Sequence, residues 1–158
     1  MLVDTTIWAW LGVLAMGAGT IPPLWNWLSG SSAPGESHAR YYATLAGVTG
    51  VAALAYLAMA LGVGTVATPG GDLPVARYLD WLITTPLLLL YLGLLARPSR
   101  RVLVGLIAID VVIIAGGISA VVTSGALSWG LFAVASAAYA VLVYGLLVAL
   151  PRSASAAG

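Results

Sequence analysis

Cysteine and lysine are both absent from the 158 residues, histidine and phenylalanine occur once each, and only 7% of the side chains are charged. Without cysteine there is no disulfide and no thiolate metal site, and the lone His38 cannot assemble a zinc constellation. Without lysine the six basic residues are all arginine, so the chain has no ε-amine with which to hold a carbonyl compound covalently. A net charge of +1 excludes a nucleic-acid-binding surface. The N-terminus lacks the basic flank and small-residue cleavage site of a signal peptide, so the first apolar run is expected to stay as a helix. What the chain does have is hydrocarbon. It is 61% hydrophobic with a mean hydropathy of +1.06, far outside the range of a soluble domain and diagnostic of an integral membrane protein.

Five apolar runs are each long enough to cross about 30 Å of hydrocarbon. The spacing predicts an all-α membrane bundle, a single transmembrane domain over residues 1–158, with helices near 6–28, 40–63, 75–96, 101–122 and 127–150. Residues 151–158 are expected to begin a cytoplasmic loop or tail. The separators SGSSAPGES, ATPGGDLP, RPSR and TSGA have turn chemistry and are short, so sequential helices should run antiparallel. Pro69 to Asp72 can cap a small hairpin. Trp8 and Trp10 at one end of the first helix and Trp25 and Trp27 at the other match interfacial aromatic belts, while Pro22 and Pro23 are expected to bend or shorten its last turns. Arg40, Arg97, Arg100, Arg101 and Arg152 all fall on one side of an alternating bundle. By the positive-inside rule that side is cytoplasmic, leaving the N-terminus outside.

Arg77 breaks that rule, and it lies in the most informative stretch. In ARYLDWLITTPLLLL, residues Arg77, Asp80, Trp81, Thr84, Thr85 and Leu88 follow the i, i+3, i+4, i+7, i+8, i+11 pattern of one helical face. A charge near the bilayer centre costs roughly 3 kcal/mol on insertion scales, so this face should look into a wet cavity with Asp80 as its chemical group. The plainer alternative is a buried ion pair that only fixes packing. Thr84 is placed to bond the Asp80 carboxylate, although hydroxyls in membrane helices often bond their own i−4 carbonyl. Pro86 removes a backbone donor and frees the carbonyl of Leu82. Asp110, with no arginine near it in the fourth helix, reads as a neutral hydrogen-bond donor to a neighbour, and structural glue explains it as well as chemistry does. Gly116, Gly117, Ser119 and Ala120 permit close helix approach. Tyr56, Trp81, Trp129, Phe132 and Tyr139 supply aromatic area, each as readily core as pocket. Tyr91 lies eleven residues beyond Asp80, nearly in line with it. A carboxylate there could pass a proton inward, whereas a phenol is a poor donor at neutral pH.

These residues resemble the haloarchaeal microbial rhodopsins, with sensory rhodopsin II (phoborhodopsin) as the nearest subgroup. The third-helix stretch matches the family's helix C motif without a gap, and RYYATLAGVTGVAALAYLAMALGVG, Asp110 and WGLFAVASAAYAVLVYGLL extend the likeness over essentially the whole chain. The resemblance implies seven helices around retinal, held as a protonated Schiff base on a lysine of the seventh. It makes Asp80 the counterion and proton acceptor and Arg77 part of the outward proton-release network. Trp81 would sandwich the polyene, with Thr84, Thr85 and Leu88 along it and Tyr56 supporting the counterion region. Asp110, Gly117, Phe132, Ala135 and Tyr139 would lie toward the ionone ring, and Tyr91 would stand in place of an internal proton donor. The chain stops after the fifth helix, so the lysine, the second counterion and the transducer-binding surface are expected in helices six and seven, carried by the remainder of a longer protein or by a separate chain. A truncated product without photochemistry is the alternative. The function implied is a non-enzymatic photoreceptor signalling phototaxis through a transducer in the cell membrane, and a homo-oligomer is compatible with it. A light-driven outward proton pump is the second reading, a chloride pump is disfavoured by Asp80, and a scaffold or assembly subunit represents another class.

Overall fold

The computed structural model describes the backbone of residues 2–30 and 36–155, and side chains over residues 6–30 and 39–152. His38 and most of the first connection lie outside the described side chains. Helix α1 spans Leu2–Ser29 and α2 spans Glu36–Ala60. A hairpin of β1, Thr65–Thr68, and β2, Gly71–Pro74, follows. Then come α3, Val75–Ala96, α4, Arg100–Val122, and α5, Gly125–Tyr144. The last of these runs through a π-helical turn at Gly145–Ala149 into a short α6, Leu150–Ser155. Among the described residues, five helices are long and apolar enough to cross a membrane, the most apolar being Arg100–Val122 with a mean hydropathy of 2.5.

The helix ends follow from local chemistry. Gly62 takes a left-handed φ of +70°. Its N–H bonds Met59 O at 3.0 Å while Val63 N bonds Ala58 O at 2.8 Å, the paired closure that ends a helix on a glycine. The second helix therefore stops before the expected Val63. Arg97, at φ +50°, closes α3 with a single bond from its N–H to Gly93 O at 2.9 Å. Pro98 prevents continuation, and the Ser99 hydroxyl oxygen accepts from Val102 N to open α4. The hairpin expected at Pro69 to Asp72 is present, with Pro69 and Gly70 as its turn. Pro22 and Pro23 do not shorten α1, which continues to Ser29 with Pro23 buried.

Two compact units result. The first comprises α1, α2 and α3 as far as Tyr91. Glycines bring α1 and α2 close: Gly19 faces the Thr49 methyl and Gly50 the Thr20 methyl, each leaving ordinary contact distance for a Cβ. Thr20 and Thr49 turn their hydroxyls back to Met16 O and Leu45 O, at 2.7 and 3.0 Å. Their polar atoms are thereby satisfied inside their own helices, as a lipid environment requires. The second unit holds Val66–Leu73 and everything from Leu92 onward. In it α4 and α5 pack through Gly116, whose missing Cβ would lie 3.1 Å from that of Ala135, and through Gly145 against the Leu106 side chain. The hairpin tip docks on the end of α4, where Thr68 donates to Val121 O at 2.8 Å and Gly70 lies against the carbonyls of Val121 and Thr123. Ser128 donates to Ala120 O at 2.7 Å, so hydroxyls from two other elements cover the carbonyls that α4 leaves open.

Candidate functional site

All but one of the candidate site residues of the first unit are carried by α3. Asp80 and Thr84 are its buried polar pair, 7% and 6% exposed. At 100° per residue Thr84 lies about 40° from Asp80, with Leu87 and Tyr91 about 20° to either side. This is the face that meets α2, where a Cβ on Gly47 would sit 3.8 Å from a Leu87 methyl. At its far end Tyr91 packs edge-on to Tyr41, with centroids 6.0 Å apart and planes at 83°.

Both threonine hydroxyls turn back to their own helix, the alternative that the sequence left open. Thr84 Oγ1 donates to the backbone carbonyl of Asp80 at 2.8 Å, and Thr85 Oγ1 donates to Trp81 O at 2.7 Å. The i−4 carbonyl is within reach of any threonine on a straight helix, so it wins over a side chain that must be turned to meet it. The result is a carboxylate oxygen, Asp80 Oδ1, that is buried and has no hydrogen-bond partner among the described residues. A group so placed costs more than the roughly 1–3 kcal/mol of a neutral unsatisfied atom, so its place in the protein calls for a donor or a cation.

The face is unevenly enclosed. Arg77, Trp81 and Leu88 lie about 60° to 100° from Asp80 on one side, and all three are exposed, Trp81 by 44%. Thr85 is half-buried. The α3 surface on the other side of Asp80 is also exposed, but it consists of Leu79, Ile83 and Leu90. One open face is thus purely aliphatic and suited to lipid, and the other combines a guanidinium, an indole and a leucine. The Trp81 indole is held edge-on by Tyr78, with centroids at 5.6 Å.

Tyr56, on α2 in the same unit, is half-buried with its ring against Gly12 of α1. Gly12 and Tyr41 escaped the sequence reading. The seven-residue spacing of Gly12 and Gly19, which places both on one face, is the signal that could have found the first. In the second unit Asp110 is buried at 6%, Ala135 is buried in the α4–α5 contact, and Gly117 is half-buried. Phe132 and Tyr139 are exposed by 56% and 59%, and Phe132 lies edge-on to Trp129 at 6.2 Å.

Residues 4–158 match the family model described as bacteriorhodopsin-like protein. The chain belongs to the bacteriorhodopsin-like family. Within it the chain is 49% identical over 150 residues to sensory rhodopsin-2 of Halobacterium salinarum, a match covering 94% of this chain and 60% of that protein. It is 38% identical over 154 residues to sensory rhodopsin-2 of Natronomonas pharaonis, covering 98% and 63%. Among solved structures, the light-driven proton pump of Coccomyxa subellipsoidea superposes with a TM-score of 0.85 at 27% identity, over 98% of this chain and 69% of that one. The chain therefore has a rhodopsin-like helical membrane fold and is a multi-pass membrane protein, and it spans about 60% of the length of the curated relatives it matches.

Proposed function

We propose that this chain forms part of a retinal-binding photoreceptor of the sensory rhodopsin II type, signalling phototaxis through a membrane transducer without enzymatic turnover. The observation that carries the reading is the buried, unpartnered Oδ1 of Asp80 beside an open face bearing Arg77 and Trp81. An anionic oxygen without a donor fits a cationic N–H, and an accessible indole fits a flat conjugated chain. Retinal, when bound, supplies absorption of visible light and a change of shape that moves a positive charge. Asp80 is the group assigned to balance that charge and to take up a proton at Oδ1. Arg77, one helical turn away, holds the outward side electropositive and belongs to the release of protons there.

Trp81, Thr84, Thr85, Leu88 and Tyr56 are assigned to contact or support the chromophore. The likeness to the family assigns Asp110, Gly117, Phe132, Ala135 and Tyr139 to its ring end. Covalent attachment needs a lysine, which these residues lack, so it falls to polypeptide outside them. The arginine distribution supports an extracellular N-terminus and a cytoplasmic side at Arg40, Arg97, Arg100, Arg101 and Arg152, with residues 1–158 acting as a single transmembrane domain.

A light-driven outward pump is the second reading, favoured by the similarity to the Coccomyxa pump. Tyr91 weighs against it, since a phenol does not readily resupply a proton from within. The test is to purify the chain with any polypeptide that accompanies it, add all-trans-retinal, and record the visible spectrum. A visible band is expected, and mass spectrometry after borohydride reduction should find the adduct outside residues 1–158. No band, or an adduct within those residues, overturns the proposal.

A further inference from the structure

The glycines of α1 are not equivalent. A Cβ on Gly17 would meet nothing within 4 Å, and one on Gly19 would meet only a Thr49 methyl at 3.8 Å. A Cβ on Gly12 would lie 2.6 Å from both Cγ and Cε1 of Tyr56, and nearer still to Cδ1 between them. The Tyr56 ring thus lays one whole edge into the space that a side chain at residue 12 would fill. Alanine is the better helix former, so glycine here carries a local cost that the ring contact must offset.

We propose that Gly12 is the positioning residue for Tyr56, a notch in α1 that fixes the tilt of the Tyr56 ring and so the place of its hydroxyl in the retinal site. The inference rests on the retinal-binding reading above. Only two torsions orient a tyrosine, and on a helix the first is restricted to two wells. A methyl at residue 12 therefore cannot be avoided by a local adjustment: the ring must swing away. The hydroxyl, at the far end of the ring from the Cβ pivot, moves furthest. Tyr56 stands in the same compact unit as Asp80. On the retinal-binding reading, which sets Tyr56 against the counterion region, a displaced O–H changes the field at Asp80, and with it the energy gap of a bound chromophore. Gly12 thus acts on colour through Tyr56, without touching the chromophore.

The test is a double-mutant cycle read by visible absorption of the retinal-loaded protein, purified with any polypeptide that accompanies it. Gly12→Ala is expected to shift the absorption maximum, and Gly17→Ala, on the same helix with open space, to leave it unchanged. Tyr56→Leu removes the ring that the methyl would strike, so adding Gly12→Ala to Tyr56→Leu should produce no further shift. Should Gly12→Ala alone fail to fold, the double variant is expected to recover folding, and its failure to do so overturns the inference. A wild-type band with an unshifted Gly12→Ala band overturns the inference while leaving the retinal reading intact. A Gly12→Ala shift that persists undiminished in the Tyr56→Leu background does the same. Absence of any band in the wild type removes the retinal reading and this inference together.

Discussion

Asp80 and Tyr91 lie on one face of α3 within about 20° of each other, and their chemistry differs in a way that can be measured. Asp80 Oδ1 is buried without a partner among the described residues. In the retinal-free protein Asp80→Asn replaces a carboxylate with one buried, unpartnered oxygen by a neutral amide of the same shape. We expect it to raise stability by about 1–3 kcal/mol, read as a higher melting temperature by circular dichroism in detergent. With retinal bound the same change removes the balancing charge and should move the absorption maximum to the red, so one substitution stabilises the empty protein and spoils the loaded one. Tyr91, edge-on to Tyr41, presents a phenol where inward proton resupply needs an acid. Tyr91→Asp is expected to accelerate decay of the deprotonated photointermediate and weaken its dependence on pH in flash photolysis. Equal decay rates in wild type and variant would return the pump to equal standing. Residue identities were legible from the sequence here, but hydrogen-bond choices were not. The 3.6-residue period put Thr84 beside Asp80 correctly, yet a threonine hydroxyl in a helix always has its i−4 carbonyl as a competitor, and the spacing alone cannot say which acceptor wins.

The elements themselves were largely readable, because a run of about 20 apolar residues has few alternatives in a bilayer and its ends are marked by Gly, Pro and Ser. Ser99 opens α4 from within a stretch read as a turn, whereas Gly62 ends α2 inside the run expected to reach Val63. Arg97 does not advertise itself: it occupies the left-handed position that glycine usually fills, held there by Pro98 and the bond to Gly93 O. Arg97→Gly should stabilise the protein by about 1 kcal/mol, measured by thermal or denaturant unfolding, since the left-handed conformation is costly for a residue with a Cβ. The π turn at Gly145–Ala149 was invisible. Leu142 and Leu150 are both buried, although eight residues of straight α-helix would separate them by about 80°. One extra residue in the wider turn restores them to nearly the same side. Hydrophobicity could not reveal this, because in α5 the buried and exposed positions are alike apolar. For the same reason the covered face of each helix was harder to read than its span.

At the scale of the molecule, the sequence carried the class and family of fold, while the state of the α3 face required coordinates. A helix that shows leucine and isoleucine on one open side and arginine, tryptophan and leucine on the other presents the second side to something other than acyl chains. Retinal should therefore act on stability as well as colour. A ligand that binds only the folded form adds about 2.7 kcal/mol at a hundred times its dissociation constant, so the melting temperature should climb with retinal concentration and then be lowered in Asp80→Asn relative to loaded wild type. A melting temperature indifferent to retinal would break the link between that face and the chromophore. The open guanidinium-bearing face has a consequence for the life of the protein in a cell. Until it is covered, the chain belongs to the population of membrane proteins with a charge at the lipid boundary, which is the population that quality-control proteases sample. Substitutions that keep that face from being covered should therefore lower the protein's abundance in the cell.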